Sequence, residues 1–381
     1  MRDKSEAPKQ VHSLMQQEDS SFNTLRLERI SCPLCDCSKA TVVQTSGDNL
    51  CGIPGEFSVE RCDACGHLFM NPRPVMECLA ACYPDNYGPH QSNPETSTHF
   101  RVDGCLPATR PIKKQSRPVI LRMLPLRFVP GLRRFYYWLI EDRSQPVPPI
   151  PETFSNSHGI EALEIHTNES SLALEIGCAT GQYLVRLLDA GWQARGIEPG
   201  VGPATVAKNA GLDVQCGILE TCTLNPESFN LAAAWMVIEH VPDPRGTLKR
   251  IHSLLKPGGR FLFSIPNAGC WEAAFFGRNW FVLELPRHLH HFTPLSIRKL
   301  LEESGFTDIT ITHQRNLSNV VGSVALMILS RWPQSRIGRW LFSYPHQPTI
   351  VVKLLLAPLA HLLALLKQGG RLTITAVRPE E

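Results

Sequence analysis

The chain has 381 residues, of which 43% are hydrophobic and 19% are charged, and its formal net charge is +3 at pH 7. This length gives room for two or three domains, and the small net charge argues against a strongly polyanionic partner. The first residues are polar and lack an apolar signal core, so we expect a cytoplasmic protein. Nine of the 13 cysteines precede Leu106, several in close pairs, which favours a reduced protein with a metal site over a disulfide scaffold.

Residues 1–30 are mostly polar, and we expect a mobile segment there. The following segment, residues 31–88, contains Cys32-Pro-Leu-Cys35 and Cys62-Asp-Ala-Cys65-Gly66. Two C-x2-C pairs at this separation are typical of a zinc ribbon, in which four thiolates hold a structural Zn²⁺. A closed thiolate shell leaves no open position for substrate, so the metal is expected to support folding. Two spare thiols compete as ligands: Cys37 and Cys51.

Residues 89–160 form a predicted linker rich in Pro and loop-forming residues. Between Arg101 and Ile140 it holds nine Lys/Arg and one acidic residue, with the aromatic cluster Phe135-Tyr-Tyr-Trp138. A basic helix with aromatic residues suits an anionic membrane surface, whereas a linker helix whose aromatics pack on the next domain is the simpler interpretation. No recognised nucleic-acid-binding module accompanies the basic stretch, so no nucleic-acid partner is expected.

Residues 161–381 carry the main α/β pattern. An apolar strand from Leu172 leads into a turn bounded by Gly177 and Gly181, then into an amphipathic helix. A glycine-lined turn lets a ligand approach the backbone and directs helix N–H groups at it. Glu198 ends the second strand 21 positions after Gly177, close to the offset at which a carboxylate binds ribose hydroxyls. Glu175 would repel a pyrophosphate but suits the cationic amino group of a methionine moiety.

The segment Glu175-Ile-Gly-Cys-Ala-Thr-Gly181 resembles motif I of the class I S-adenosylmethionine-dependent methyltransferases. The resemblance implies a seven-stranded, doubly wound Rossmann-like sheet with an antiparallel last strand, and S-adenosylmethionine as the cofactor. Related enzymes often place an Asp where this chain has approximately Ile218, so adenine recognition must use backbone groups, apolar contacts or Glu220. Trp235 flanks the cofactor or is a core aromatic. The candidate cofactor contacts are Glu175, Gly177, Cys178, Gly181, Glu198 and Trp235.

The segment Val237-Ile-Glu-His-Val-Pro-Asp-Pro244 follows the fourth predicted strand and is similar to a segment typical of the same family. Ligands of doubly wound sheets lie at the carboxyl ends of strands, so Glu239 and His240 are expected near the methyl acceptor. A base is needed only if the acceptor must lose a proton, and histidine suits that task. Our hypothesis is that His240 acts as the base and Glu239 orients it. The alternative is that the pair only holds the loop.

Two further segments extend the resemblance. Bacterial methyltransferases with an N-terminal zinc ribbon, including sugar C-methyltransferases, have segments similar to the tract Gly66–Pro74 and to the pair Tyr83 and Tyr87. In that family the small domain covers the substrate side, which implies acceptor contacts from both tyrosines; packing between domains is the alternative. The three histidines of Arg287–Phe292 suggest a metal. Because no acidic ligand pattern accompanies them, the favoured role is that His288 shapes the acceptor pocket; the alternative is a histidine that only packs its loop.

Residues 317–368 form a strongly apolar insertion between the sixth and last predicted strands. We expect a helical hairpin from Val320–Leu329 and Thr349–Leu366, serving as a lid, a dimer surface or a shallow membrane contact. The sequence thus predicts methyl transfer to a small molecule, a sugar or other secondary metabolite. The alternatives are a lipid or quinone headgroup at the inner membrane face, and a noncatalytic S-adenosylmethionine-binding protein. The oligomeric state is not predicted.

Overall fold

The computed structural model describes residues 25–83, 145–150, 171–345 and 348–380. Tyr87 and the basic stretch from Arg101 to Ile140 lie outside these ranges. The described residues form a seven-stranded sheet, a four-stranded sheet and a two-stranded ladder. The predicted linker is therefore described only at residues 145–150.

The N-terminal segment contributes five short strands. These are β1 (Leu27–Glu28), β2 (Ala40–Ser46), β3 (Phe57–Cys62), β4 (Leu68–Met70) and β5 (Arg73–Pro74). β2, β3 and β4 form an antiparallel meander, and β1 pairs with β5. The first cysteine pair precedes β2 and the second lies at the turn between β3 and β4. The residue after each pair, Asp36 or Gly66, has a positive φ that lets the chain turn tightly.

The large sheet is built from β6 (Leu172–Ile176), β7 (Gln193–Glu198), β8 (Val214–Cys216), β9 (Phe229–Trp235), β10 (Leu255–Pro266), β12 (Thr307–His313) and β13 (Arg371–Val377). Its order is β12-β13-β10-β9-β6-β7-β8. β6 to β10 run parallel, and β13 is antiparallel to both β10 and β12. The predicted seven-stranded topology is confirmed. The strand order reverses beside β6, which makes the carboxyl ends of β6, β7 and β9 the expected ligand edge.

Helices cover both faces of this sheet. α1 (Gln182–Asp189) and α2 (Val201–Asn209) pack on one face, where Leu184 and Ala207 meet Ala173 and Ala233. α3 (Pro244–Leu254) and α5 (Pro294–Glu303) pack on the other, and the short α4 (Trp271–Phe276) follows β10. α3 begins directly after Asp243, which caps it by accepting a hydrogen bond from the Gly246 N–H at 2.9 Å.

The prediction of a helical hairpin is incomplete, because the described residues of the insertion form three helices. They are α6 (Ser318–Arg331), α7 (Arg336–Ser343) and α8 (Ile350–Leu365). α6 packs on α7, and α8 lies beside the edge strand β12. α7 is only eight residues long, so its apolar pattern is too short to stand out in the sequence. Among the described residues, no helix is both long enough and apolar enough to cross a membrane.

Candidate functional site

The turn after β6 has the backbone geometry of a ligand cradle. Gly177 and Gly181 have φ values of 69° and 85°, and a Cβ on Gly177 would lie 2.6 Å from Val237 Cγ2. Both positions therefore need glycine. Ala179, between them, also has a positive φ of 46°, and its N–H donates to Glu198 Oε2 at 2.8 Å. The turn is thus held against the end of β7.

Glu198 is buried at the end of β7, where its carboxylate fastens two loops. Oε2 accepts from the Ala179 N–H, and Oε1 accepts from the Gly200 N–H at 2.7 Å. Each carboxylate oxygen has two lone-pair sites, so one site on each oxygen is left to accept a ligand hydroxyl. A pair of vicinal hydroxyls, as on a ribose, matches that arrangement.

Glu175 is a second buried carboxylate beside the same turn. Burial raises the pKa of Glu175 well above its usual value, and the nearby charge of Glu198 raises it further. Glu175 Oε2 is enclosed and has no hydrogen-bond partner among the described residues. An enclosed carboxyl of this kind suits a cationic ligand group. An ammonium would donate the hydrogen bond that Oε2 lacks and would balance the negative charge of the ionised carboxylate. The residues at this end of the sheet therefore fit the amino and ribose groups of S-adenosylmethionine.

The other predicted cofactor residues lie in the core around this turn. Cys178 is buried and packs against β7, where a Cβ on Gly196 would lie 2.6 Å from Cys178 Sγ. Trp235, at the end of β9, packs edge-to-face on Tyr183 with 4.9 Å between ring centroids. Its indole Nε1 is buried without a hydrogen-bond partner among the described residues. Glu220, the suggested adenine contact, accepts a hydrogen bond from Thr247 Oγ1 at 2.7 Å.

A second cluster gathers the predicted acceptor-side residues from three parts of the chain. The Tyr83 hydroxyl lies 2.9 Å from His240 Nδ1, which is also 3.1 Å from the Arg287 carbonyl oxygen. The His240 and His288 rings pack edge-to-face, with 4.6 Å between centroids. Glu239 is fully buried beside them. Tyr83, Glu239, His240 and His288 thus come together, whereas Tyr87 lies outside the described residues.

His288 is held as a neutral ring. Burial lowers its pKa well below the usual value, and the charges of His240 and His291 lower it further. Nδ1 lies 2.9 Å from the Val282 carbonyl oxygen, which can only accept, so the proton belongs on Nδ1 and the lone pair on Nε2. Glu284, which sequence reasoning missed, places Oε2 3.4 Å from that Nε2. Its backbone φ is 46°, a left-handed conformation that is uncommon for glutamate and that the sequence does not signal.

One atom each of Glu239, His240 and His288 lies within 4.8 Å of the others, an arrangement that can hold a metal ion. Sequence alone offered no acidic companion for the histidines of Arg287–Phe292. The structure places Glu239, from the loop after β9, beside one of these histidines, His288. Leu289 N–H and His290 N–H both donate to the Glu239 carbonyl oxygen, which fixes the two segments together.

The N-terminal segment is fastened directly to this cluster. β4 pairs with β11 (His290–His291), so the small antiparallel sheet continues into the main domain. Asp48 and Arg287 form a fully buried bidentate ion pair, with 2.6 Å between Asp48 Oδ1 and Arg287 Nη2 and 2.9 Å between Oδ2 and Nη1. Burial alone would raise the pKa of Asp48, but the Arg287 guanidinium lowers it overall. Because the Arg287 carbonyl also contacts His240, the small domain positions the cluster.

The four cysteines of the two predicted knuckles meet in space. Sγ atoms of Cys32 and Cys65 are 3.5 Å apart, as are those of Cys35 and Cys62, and all four lie within 4.8 Å. Tetrahedral Zn–S bonds of about 2.3 Å require S···S separations of roughly 3.8 Å, so the set fits one zinc ion. Cys37 and Cys51 are not part of the cluster. Burial raises the pKa of Cys62, but hydrogen bonds from the backbone N–H groups of Cys65 and Ala64 and from the Cys35 and Cys65 thiols more than offset it and bring the value to about 7.

Replacing Glu239 with glutamine is expected to change how stability depends on pH. Burial raises the pKa of Glu239 to about 8, and the charge of Glu284 adds to it. The folded protein therefore holds an extra proton from about pH 4.3, the unfolded value, up to about pH 8, and loses stability as pH rises through that window. Glutamine cannot ionise, so Glu239→Gln should gain stability relative to the wild type as pH rises. Urea unfolding across this range measures it; parallel pH profiles would contradict the prediction.

Comparison with known proteins agrees with this geometry. A family model described as "Methyltransferase domain" matches residues 156–311. A "Ubiquinone biosynthesis O-methyltransferase" of Stutzerimonas stutzeri is 29% identical over 154 residues, covering 36% of this chain and 66% of that protein. The Coxiella burnetii protein of the same name is 28% identical over 160 residues, covering 38% of this chain and 68% of that protein. The chain thus spans about two thirds of the length of the curated relatives it matches.

Among solved structures, a Thermotoga maritima protein described as an S-adenosylmethionine-dependent methyltransferase, possible histamine N-methyltransferase, is 19% identical. The match covers 55% of this chain and 83% of that chain, with a TM-score of 0.37.

Proposed function

We propose that this chain, which carries a class I S-adenosylmethionine-dependent methyltransferase domain, transfers a methyl group from S-adenosylmethionine to a small-molecule acceptor. The observation that carries the proposal is the pair of buried carboxylates, Glu175 and Glu198, on either side of a glycine turn at the carboxyl ends of β6 and β7. The family model over residues 156–311 supports it independently.

Three groups of this chain would hold the cofactor. Glu198 would accept hydrogen bonds from the two ribose hydroxyls. Each carboxylate oxygen would use the lone pair that is not already bonded to the Ala179 or Gly200 N–H. Glu175 pairs with the amino group of the methionine moiety, and the close backbone at Gly177 and Gly181 lets the ligand lie along the turn. When bound, S-adenosylmethionine supplies a methyl group on a sulfonium, so the protein mainly aligns the reactants and excludes water.

His240 is proposed as the base that removes a proton from the acceptor. The Arg287 carbonyl takes a hydrogen bond from Nδ1, so the neutral ring carries its lone pair on Nε2, the atom proposed to receive the acceptor's proton. The Tyr83 hydroxyl on the same Nδ1 further fixes the ring plane. Glu239 and His288 pack around His240 and shape the space that the acceptor would enter.

The polar character of this cluster favours a sugar or another hydroxyl-bearing metabolite as the acceptor. Buried carboxyl and imidazole groups need hydrogen-bonding partners, which a hydroxyl-rich molecule supplies. The second candidate is a lipid or quinone headgroup. It is supported by the curated relatives, which are described as ubiquinone biosynthesis O-methyltransferases.

We also propose a structural Zn²⁺ in the cluster of Cys32, Cys35, Cys62 and Cys65. The ion would lock both knuckles and so hold β3 and β4 against the main domain. No step of the transfer is assigned to it.

The experiment for the proposed function follows tritium from methyl-labelled cofactor into fractions of a cell extract. An aqueous product supports the sugar class, and an organic-phase product supports the lipid or quinone class. Retained cofactor binding without any labelled product would overturn the enzyme proposal and leave a noncatalytic binding protein.

Changing Glu198 to alanine is expected to weaken S-adenosylhomocysteine binding by roughly tenfold to a hundredfold. The loss removes charge-assisted hydrogen bonds to the ligand and frees the Ala179 turn. Calorimetric titration measures the affinity. The matched control is Asp213→Ala, which removes an exposed carboxylate paired with Arg195 and should leave the affinity unchanged. An unchanged affinity in Glu198→Ala would refute its ribose role.

A further inference from the structure

The insertion between β12 and β13 exposes an apolar stripe along α8. Leu355 is 75% exposed, and α8 is 16 residues long. Side chains three or four residues apart share one face of a helix, which here extends for about 24 Å. A folded chain rarely leaves so long an apolar stripe in contact with water. The exposed apolar residues at this spacing are Val351, Leu355, Leu359, Leu362 and Leu366.

A second exposed apolar surface lies on α7 and the turn before it. Trp332 is 63% exposed, Trp340 is 60% exposed, and Ile337 is exposed between them. Arg336 and Arg339 neighbour these residues in α7. A tryptophan ring combines a large apolar body with a polar N–H, and such rings concentrate at membrane–water boundaries. Arginines placed between apolar residues suit the same boundary.

The charge of the insertion has one sign only. Residues 317–368 contain five Lys/Arg and no Asp or Glu. An apolar surface bordered by positive charge alone complements anionic phospholipid headgroups. The five basic residues are Arg331, Arg336, Arg339, Lys353 and Lys367.

The positive charge of the insertion also argues against two other binding partners for its exposed apolar surface. A second copy meeting this surface across a two-fold axis would bring like patches together and place positive charge against positive charge. The stretch from Arg101 to Ile140 carries nine Lys/Arg and one acidic residue. It would therefore also meet like charge.

We propose that residues 317–368 dock this protein on the surface of an anionic phospholipid bilayer through α7 and the exposed stripe of α8. With 16 residues, α8 is shorter than the roughly 20 residues that span a bilayer, so the contact lies in the interfacial layer. The docking goes beyond the proposed methyl transfer, because it holds for an acceptor in water as well as for one in the membrane.

The test is flotation of the full chain with phosphatidylcholine vesicles, with and without added phosphatidylglycerol. We expect at least about tenfold tighter binding to the anionic vesicles, weakened by added salt. Leu355→Glu on α8 and Trp340→Glu on α7 should each reduce binding by about tenfold or more, since each replaces an exposed apolar side chain that docking would bury in the bilayer surface. The matched control is Leu295→Glu on α5, where the leucine is 81% exposed outside the insertion; it should bind like the wild type.

Three results would overturn the docking. They are absence of binding to anionic vesicles, binding that both substitutions leave unchanged, and a wild-type dimer that the substitutions dissociate while vesicles bind neither form. S-Adenosylhomocysteine affinity measured on the same samples separates the two proposals. A wild type that binds the nucleoside but no vesicle refutes the docking alone, and one that binds vesicles but no nucleoside refutes the proposed function alone.

Discussion

Replacing His240 with alanine is expected to lower kcat by about 10²- to 10⁴-fold, the usual contribution of a positioned base. The ring is fixed by the Arg287 carbonyl at 3.1 Å and the Tyr83 hydroxyl at 2.9 Å, so its loss removes a preorganised group. The affinity for S-adenosylhomocysteine should stay within about twofold, because the proposed cofactor contacts lie on β6 and β7. Single-turnover transfer of labelled methyl, once the acceptor is identified, measures the effect.

Two companion substitutions make this prediction specific. Tyr83→Phe removes only the hydroxyl bonded to His240 and should cost less, about tenfold in kcat. His252→Ala changes a histidine near the far end of α3 and should leave kcat unchanged. If His240→Ala retains full kcat, the histidine only holds its loop, and proton removal must be assigned elsewhere.

Replacing Cys65 with serine is expected to release the bound zinc and lower the free energy of unfolding by more than about 4 kcal/mol. The cluster joins both knuckles, and Cys32 and Cys62 are almost fully buried, so loss of the ion would leave their thiols without a ligand in the core. Transfer activity should fall as well, because the same segment carries Asp48 and Tyr83 to the acceptor-side cluster. Elemental analysis of the purified chain and urea unfolding measure the two effects.

Cys37→Ser is the matched control, since Cys37 follows the first knuckle but its thiol contacts the Lys39 carbonyl instead of the cluster. It should retain about one zinc per chain and near wild-type stability. A wild type without zinc, or a Cys65→Ser chain that keeps the metal, would contradict the assignment.

The ligand edge of the large sheet follows from local sequence signals. Gly177, Gly181 and Glu198 are set by a short strand–turn–helix–strand unit whose spacing fixes their positions, and the structure has that unit. The pairing of Cys32 and Cys35 with Cys62 and Cys65 is predictable for a similar reason, because two adjacent thiols on a tight turn need a second such turn.

The acceptor-side cluster was only partly predictable, because long-range contacts create it. Tyr83 and His240 were each singled out from a motif, but 157 residues separate them, and no periodic pattern signals their contact. The Asp48–Arg287 pair joins residues 239 apart. β11 is two residues long and leaves no alternation to recognise, although its pairing with β4 attaches the small domain. Glu284 and the metal-compatible placement of Glu239 depend on the same packing.

The most direct measurement of the central claim is a crystal structure of the chain with S-adenosylhomocysteine bound. We expect both ribose hydroxyl oxygens within about 3 Å of the Glu198 carboxylate, and the amino nitrogen within about 3 Å of Glu175. A nucleoside bound elsewhere, or a Glu175 and Glu198 pair that never contacts it, would contradict the claim.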